Sequence, residues 1–432
     1  MSFRGKLWIL VISGVIAAYA VVGGLPAVGG LLTTSAQQPV NDATAQLRIV
    51  ESVLQHIQND YVDEPNMEKV RLGALRGLAG GLDPYSAYLT PEQVKAFEAN
   101  KSSGRVGIGA EFSQISGYLY VISPIKAGPA EKAGIKSGDV IEYIDGKATR
   151  DISLYEAREM VNGESGTSVS LRILRAGEKP QTIKVVRGGS NIPSPETRME
   201  PGKIGVIKLY GLEDGEAGRV KTQIVNLTRQ GAQKIILDLR GVSTGTITEG
   251  AAVANLFIKN GDLAKVIGRE SKTITTFTAD PEKAVFDGGM AVLTDIGTAG
   301  AAEVVAAAVL DKKRGEVIGG RTFGTGTEQK LFTMSSGGGY LLTVAKWASP
   351  NGDPFLGEER GSMGVKPSIE VKRPDTPEPL DIEGLVEPQD GENPKPATSP
   401  TPKTSAPKVV EDLQLKKALE VLQEKVAAAR AG

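Results

Sequence analysis

Cysteine is absent from this 432-residue chain, and histidine occurs once, as His56. Without cysteine there are no disulfides, no thiolate nucleophile and no cysteine zinc site. With one histidine a His-rich metal site is excluded, and a Ser-His-Asp device would have to be built on His56. That residue stands among Gln55, Gln58 and Asn59 and reads as an ordinary, partly exposed helix position. No metal and no cofactor is expected. Charge of one sign is missing too: 50 Lys and Arg face 51 Asp and Glu, a formal net charge of −1, which gives no basic face for nucleic acid. The length allows two or three domains, each with its own core.

What is present begins with an export pattern. Residues 1–36 open on Arg4 and Lys6, continue with an apolar run over 7–22 and close on T-S-A, as a secretory signal does. Kept uncut, the apolar stretch over 7–32 is long enough to anchor the chain in a membrane despite Pro26. Either outcome puts the bulk of the chain outside the cytoplasm, in a periplasmic or other extracytoplasmic space. Residues 41–103 read as a helical region. Leu47, Val50, Leu54, Ile57 and Tyr61 fall at helical spacing, a second helix is predicted over 67–78, and Asp83-Pro84 marks a turn.

Residues 104–188 change to short β-rich runs with glycine punctuation: G-I-G-A, then P-A-E-K-A-G-I-K-S-G-D-V-I, then a helix over 153–162. In this order they resemble a PDZ domain. In the loop Gly107, Ile108, Gly109 and Ala110, the small residues on either side of Ile108 let successive N–H groups converge on an anion, and the adjoining strand edge can pair with an extended peptide. Ile108, Phe112, Ala157 and Val161 are expected to line a pocket for the peptide's last side chain.

From residue 189 to 373 β and α runs alternate, which predicts an α/β sheet domain covered by helices. The stretch 292–329 is central to it: a buried strand, a turn at Asp295 to Gly297, an alanine-rich helix from Thr298, and a glycine-studded loop. The first turn of such a helix offers unpaired N–H groups and the positive dipole end, a setting for a nucleophile and its oxyanion. The residues there are Gly300 and Ala301. Residues 374–407 are an acidic, proline-rich linker. Residues 408–432 form an amphipathic helix with Leu415, Leu419, Leu422 and Val426 on one side, read as a solvated tail, with docking onto the body as the alternative.

Y-V-D-E at 61–64, G-L-D-P-Y-S-A-Y-L at 81–89, the PDZ motifs, D-L-R at 238–240 and T-F-G-T-G-T-E-Q at 322–329 stand in one order. In that order the chain resembles the carboxyl-terminal processing, or tail-specific, serine peptidases. The resemblance implies an α/β chain of α+β multidomain build: a helical segment, a PDZ domain and an α/β peptidase-like domain. It also implies a serine nucleophile at position 300 and a lysine base at position 325, with Gln329 the motif's glutamine. Here those two positions are Gly300 and Thr325. Ala301 and Gly245 are the oxyanion candidates, although the family's Asn-Pro-Gly-Gly turn is replaced by Val242-Ser243-Thr244-Gly245.

Glycine carries no nucleophile, and a threonine hydroxyl is no base near neutral pH. The resemblance therefore implies a protein that binds unstructured C-terminal tails, does not cleave them, and works alone, as a homo-oligomer or beside an active relative. Two other readings stay open. One is an active serine-type endopeptidase with a relocated nucleophile or base, drawn from Thr298, Ser243, Thr325, Lys330 and Lys346. The other is a structural envelope scaffold held to the membrane by the N-terminal segment.

Overall fold

The computed structural model describes residues 43–99, 104–358, 360–373 and 411–431. The expected signal or anchor over 1–36 and the expected linker over 374–407 lie outside the described residues. Among the described residues no helix is long and apolar enough to cross a membrane.

The chain up to Ala74 and the chain from Leu75 onward form two units. The first contains α1 (Ala43–Asp60) and the start of α2 (Met67–Gly80). On α1 the expected apolar stripe is only half realised, with Leu54 and Ile57 partly buried and Leu47 and Val50 exposed. His56 is exposed, and its Nδ1 lies 2.6 Å from Asp60 Oδ2.

The second unit holds three sheets. One is antiparallel and contains β2 (Ala110–Ile115), β3 (Tyr118–Pro124), β4 (Val140–Ile144), β6 (Ser168–Leu174) and β7 (Gln181–Val186) in that order, with β5 (Lys147–Ala148) beside β4. Between β5 and β6 runs the helix Leu154–Val161. Its first turn is closed by a capping box in which Ser153 and Glu156 bond each other's backbone N–H. Ile108, Leu119, Ile141, Leu171, Ile173 and Ala157 fill this domain's core.

The central sheet has the order β17 (Ile369–Glu370), β14 (Glu316–Gly319), β13 (Gly289–Thr294), β10 (Lys234–Asp238), β9 (Ile204–Lys208), β8 (Glu196–Glu200), parallel except at β8. Strand period 2 divides its side chains between two layers. Ile207, Ile235, Leu237, Val292 and Val317 face the helices Glu216–Arg229, Ile247–Asn255 and Ala301–Asp311. Ile204, Val206, Ile236, Ala291, Leu293 and Ile318 face the other way. The helix covering that second layer is the tail helix, Leu413–Ala431.

The tail is therefore docked rather than solvated. Ala418 and Leu422 are 0% and 2% exposed, and Arg240 grips Asp412 through two hydrogen bonds of 2.8 and 2.9 Å. The reason lies in the sheet. All three preceding helices sit on one face, so six apolar side chains on the other would meet water without this cover.

The third sheet orders β1 (Ala87–Leu89), β16 (Gly339–Ala348), β11 (Asp262–Ile267) and β12 (Thr273–Thr278), with β15 (Thr327–Thr333) forming a hairpin on β16. It brings the Asp83 turn and the loop before β15 to the same end of the central sheet.

Candidate active site and tail-binding groove

The site forms at the carboxyl ends of β10 and β13, where loops of an open parallel sheet commonly build a crevice. Asp295 fastens the two loops together. Its Oδ1 accepts from Gly241 N at 2.9 Å and Gly297 N at 3.0 Å, while Thr298 Oγ1 donates to Leu239 O at 3.0 Å. Ala299 N reaches Val242 O at 2.9 Å, so the residues after D-L-R lie directly beside the start of the helix.

Gly300 is the residue before that helix, at φ 56° and ψ −113°. This is backbone that an L-residue with a Cβ adopts only under strain. Space is not the obstacle: a Cβ at Gly300 would find Trp347 Cζ3 at 3.7 Å and Ser243 O at 4.0 Å as its nearest neighbours. The turn is thus a sharp strand-to-helix turn with open space where a side chain would stand.

Beside it lies the T-F-G-T-G loop, and a buried carboxylate joins the two. Glu303 is 0% exposed. Its Oε2 accepts from Gly300 N at 2.8 Å and Thr325 N at 2.9 Å, and its Oε1 accepts from Gly324 N at 2.7 Å and Thr322 Oγ1 at 2.5 Å. Burial pushes this carboxyl up to about 7, with the four hydrogen bonds pulling the other way. Thr325 Oγ1 donates to the Tyr85 hydroxyl at 2.7 Å. Burial raises the Tyr85 phenol above its ordinary value, so it stays protonated at neutral pH and offers no base. Gly326 has to be glycine because a Cβ there would come within 2.9 Å of the Trp347 ring.

Other sequence candidates fall elsewhere. Gln329 is exposed and bonds Thr327 and Thr343 on the hairpin, away from Glu303. Gly245 is packed on Leu212, whose carbonyl would lie 2.2 Å from a Cβ at that position. Ala301 starts the helix behind Gly300 and is buried. Of the groups considered as replacements, Thr298 is buried and bonded into the Asp295 turn, Lys346 Nζ donates to Leu356 O at 3.1 Å, and Lys330 is exposed over the Phe332 ring. Neither Glu303 nor Tyr85 was singled out from the sequence as a site residue. The signal for Glu303 was its position three residues into the helix, where a carboxylate bonds back to the residue before it.

The antiparallel domain packs on this site. Tyr120 stacks on Phe323 of the glycine loop with ring centroids 5.6 Å apart, and Ser123 Oγ donates to Gly241 O at 2.9 Å. Its own groove, of about 400 Å³, lies between edge strand β2 and the helix Leu154–Val161. The carbonyls of Gly107, Ile108 and Gly109 accept from Gly188, Ala130 and Ile125, fixing the G-I-G-A loop from behind, with Ala110 opening β2. Ile108, Phe112 and Val161 border the groove. Ala157 does not: it is fully buried beneath, in the domain core, because it faces inward from the helix. Arg158 does border the groove, and donates to Phe112 O at 3.0 Å.

A model of peptidase family S41 matches residues 203–371, and a PDZ domain model matches residues 106–186. The "Carboxy-terminal processing protease CtpA" of Bacillus subtilis (strain 168) is 33% identical over 322 residues, 74% of this chain and 68% of that relative. The chain belongs to peptidase family S41.

Another family member, the "Probable CtpA-like serine protease" of Staphylococcus aureus (strain MRSA252), is 33% identical over 333 residues. The match takes in 76% of this chain and only 66% of that relative's length. Among solved structures, a "photosystem II D1 C-terminal processing protease" superposes with a TM-score of 0.61 at 27% identity, covering 79% of this chain and 96% of that one. The PDZ domain and the S41 peptidase domain are thus both present in this chain, in the order of a carboxyl-terminal processing protease.

Proposed function

We propose that this S41-family chain is an exported protein that captures unstructured C-terminal tails and does not cleave them by a serine and lysine pair. The observation that carries the reading is the turn at Gly300. It has the geometry of a nucleophile position, lies one shared carboxylate away from Thr325, and supplies neither a nucleophile nor a base. An acyl-enzyme needs a nucleophile and a base within hydrogen-bond reach of each other. Here the neighbouring hydroxyl of Thr325 is bonded to a neutral phenol. Loss of either partner of such a pair typically leaves only about 10³ to 10⁴-fold over water.

Tail capture draws support from the PDZ domain's groove, its glycine-rich loop and the free outer edge of β2, which suit an extended peptide ending in a carboxylate. Export rests on the pattern of residues 1–36. The test is labelling with a serine-directed fluorophosphonate. The natural chain stays unlabelled under conditions that label a serine protease run beside it. Stoichiometric labelling of the natural chain would establish the relocated-nucleophile reading instead.

A further inference from the structure

We propose that the end of the central sheet opposite Gly300 holds a second binding site, for a small amphiphilic carboxylate. It lies at the amino ends of β10 and β13, whereas the candidate active site lies at their carboxyl ends, and it is independent of the tail-binding reading. A cavity of about 380 Å³ opens there, bordered by Lys234, Arg314, Gln233, Gly289, Met290 and Leu422 among others. That volume is within the usual range for small-molecule sites and too small for a folded partner.

The charged side chains that line it are cationic. Lys234 is 9% exposed, with its stem laid on Gly289, where a Cβ would be 3.3 Å from Lys234 Cγ. Among the described residues its ammonium has no carboxylate within ion-pair distance. Arg314 is held rigidly by Nε to Phe257 O at 2.7 Å and Nη2 to Phe286 O and Gly288 O at 3.0 and 2.8 Å. These bonds leave Nη1 unspent. Among the described residues no Asp or Glu borders the cavity. Arg314 is already attracted by Asp287, which lies outside the cavity's lining, so the Lys234 ammonium is the cation that gains most from an anion in the cavity.

The other wall is apolar. Met290 and Leu422 are each 2% exposed and form its floor beside the Lys234 stem. A carboxylate fits the polar side, since its two oxygens can accept from the Lys234 ammonium, Arg314 Nη1 and the Gln233 amide. A short alkyl chain fits the apolar side.

The experiment is calorimetric titration of the full chain with sodium octanoate, beside acetate and 1-octanol. Octanoate binds saturably at one site, and the other two bind far more weakly, because each lacks one half of the recognition. Lys234→Met keeps the stem and removes the charge; Gln233→Glu, at an exposed position, sets a carboxylate against the ligand's own. Each weakens octanoate about tenfold or more. Should Lys234→Met not fold, Gln233→Glu decides. No saturable binding by the natural chain, equal binding of acetate or octanol, or unchanged affinity in the folded variants would overturn the proposal.

Discussion

Gly300 and Thr325 donate their backbone N–H groups to the same oxygen atom, Oε2 of Glu303, at 2.8 and 2.9 Å. The two positions at which a nucleophile and a base are expected from the family resemblance are thus held side by side by one buried side-chain carboxylate.

The Glu303 clasp has a pH signature. Its carboxyl is raised from the ordinary 4.5 to about 7 by burial. A carboxyl with a higher pKa folded than unfolded binds its proton more tightly in the folded state. Its contribution to stability therefore falls as pH rises from about 4.5 to about 7 and is level above that. Glu303→Gln has no such proton, so the stability difference, natural chain minus variant, should shrink over this window by on the order of 3 kcal/mol. Urea denaturation at a series of pH values measures it; parallel curves would show that Glu303 does not titrate there.

Docking of the tail helix predicts a structural role for the end of the chain. Leu422→Ala removes a side chain that is 2% exposed against Ile236 and Leu293. It should cost about 2 to 4 kcal/mol in chemical denaturation, and deletion of residues 408–432 considerably more, with aggregation through the uncovered sheet face. An unchanged denaturation midpoint in the Leu422 variant would mean the helix is not held in solution.

Tail capture predicts dependence on a free carboxylate. A peptide ending in small apolar residues should bind at least about tenfold more tightly with a free than with an amidated C-terminus. Gly109→Ala should abolish the difference. Gly109 has φ 71°, backbone that a residue with a Cβ adopts only under strain, and a Cβ there would lie 2.2 Å from Ser190 Oγ and 3.1 Å from Pro129 Cδ. Fluorescence anisotropy with the two peptides checks both statements, and equal affinities would remove the G-I-G-A loop from the binding account.

Much of the fold was legible because periodicity and glycine report local demands. The unbroken apolar run of Ile235, Ile236 and Leu237 marks a strand buried on both faces, and the glycines of G-I-G-A and T-F-G-T-G mark tight loops. What covers a strand's second face is not a local property. The stripe of Leu415, Leu419 and Leu422 looks the same on a free helix as on a docked one, and only the placement of the other three helices decides between them.

The site divides in the same way. Gly300 and Thr325 are named as site positions by motif position alone, and the structure places both against Glu303. Glu303 became visible as a clasp only once residues 322–325 were brought to its side chain, and Tyr85 only once the Asp83 turn was brought to Thr325. Ala157 and Gln329 fail for the converse reason. Their motif positions suggest a site, and their side chains are placed in a core and on an exposed hairpin.

The central claim concerns chemistry, and its most direct measurement is cleavage of an unfolded reporter protein ending in small apolar residues, followed by intact mass. The natural chain should leave the reporter whole, and should give the same result as its own Thr325→Ala variant. Cleavage by the natural chain that a serine-directed inhibitor stops would contradict the account.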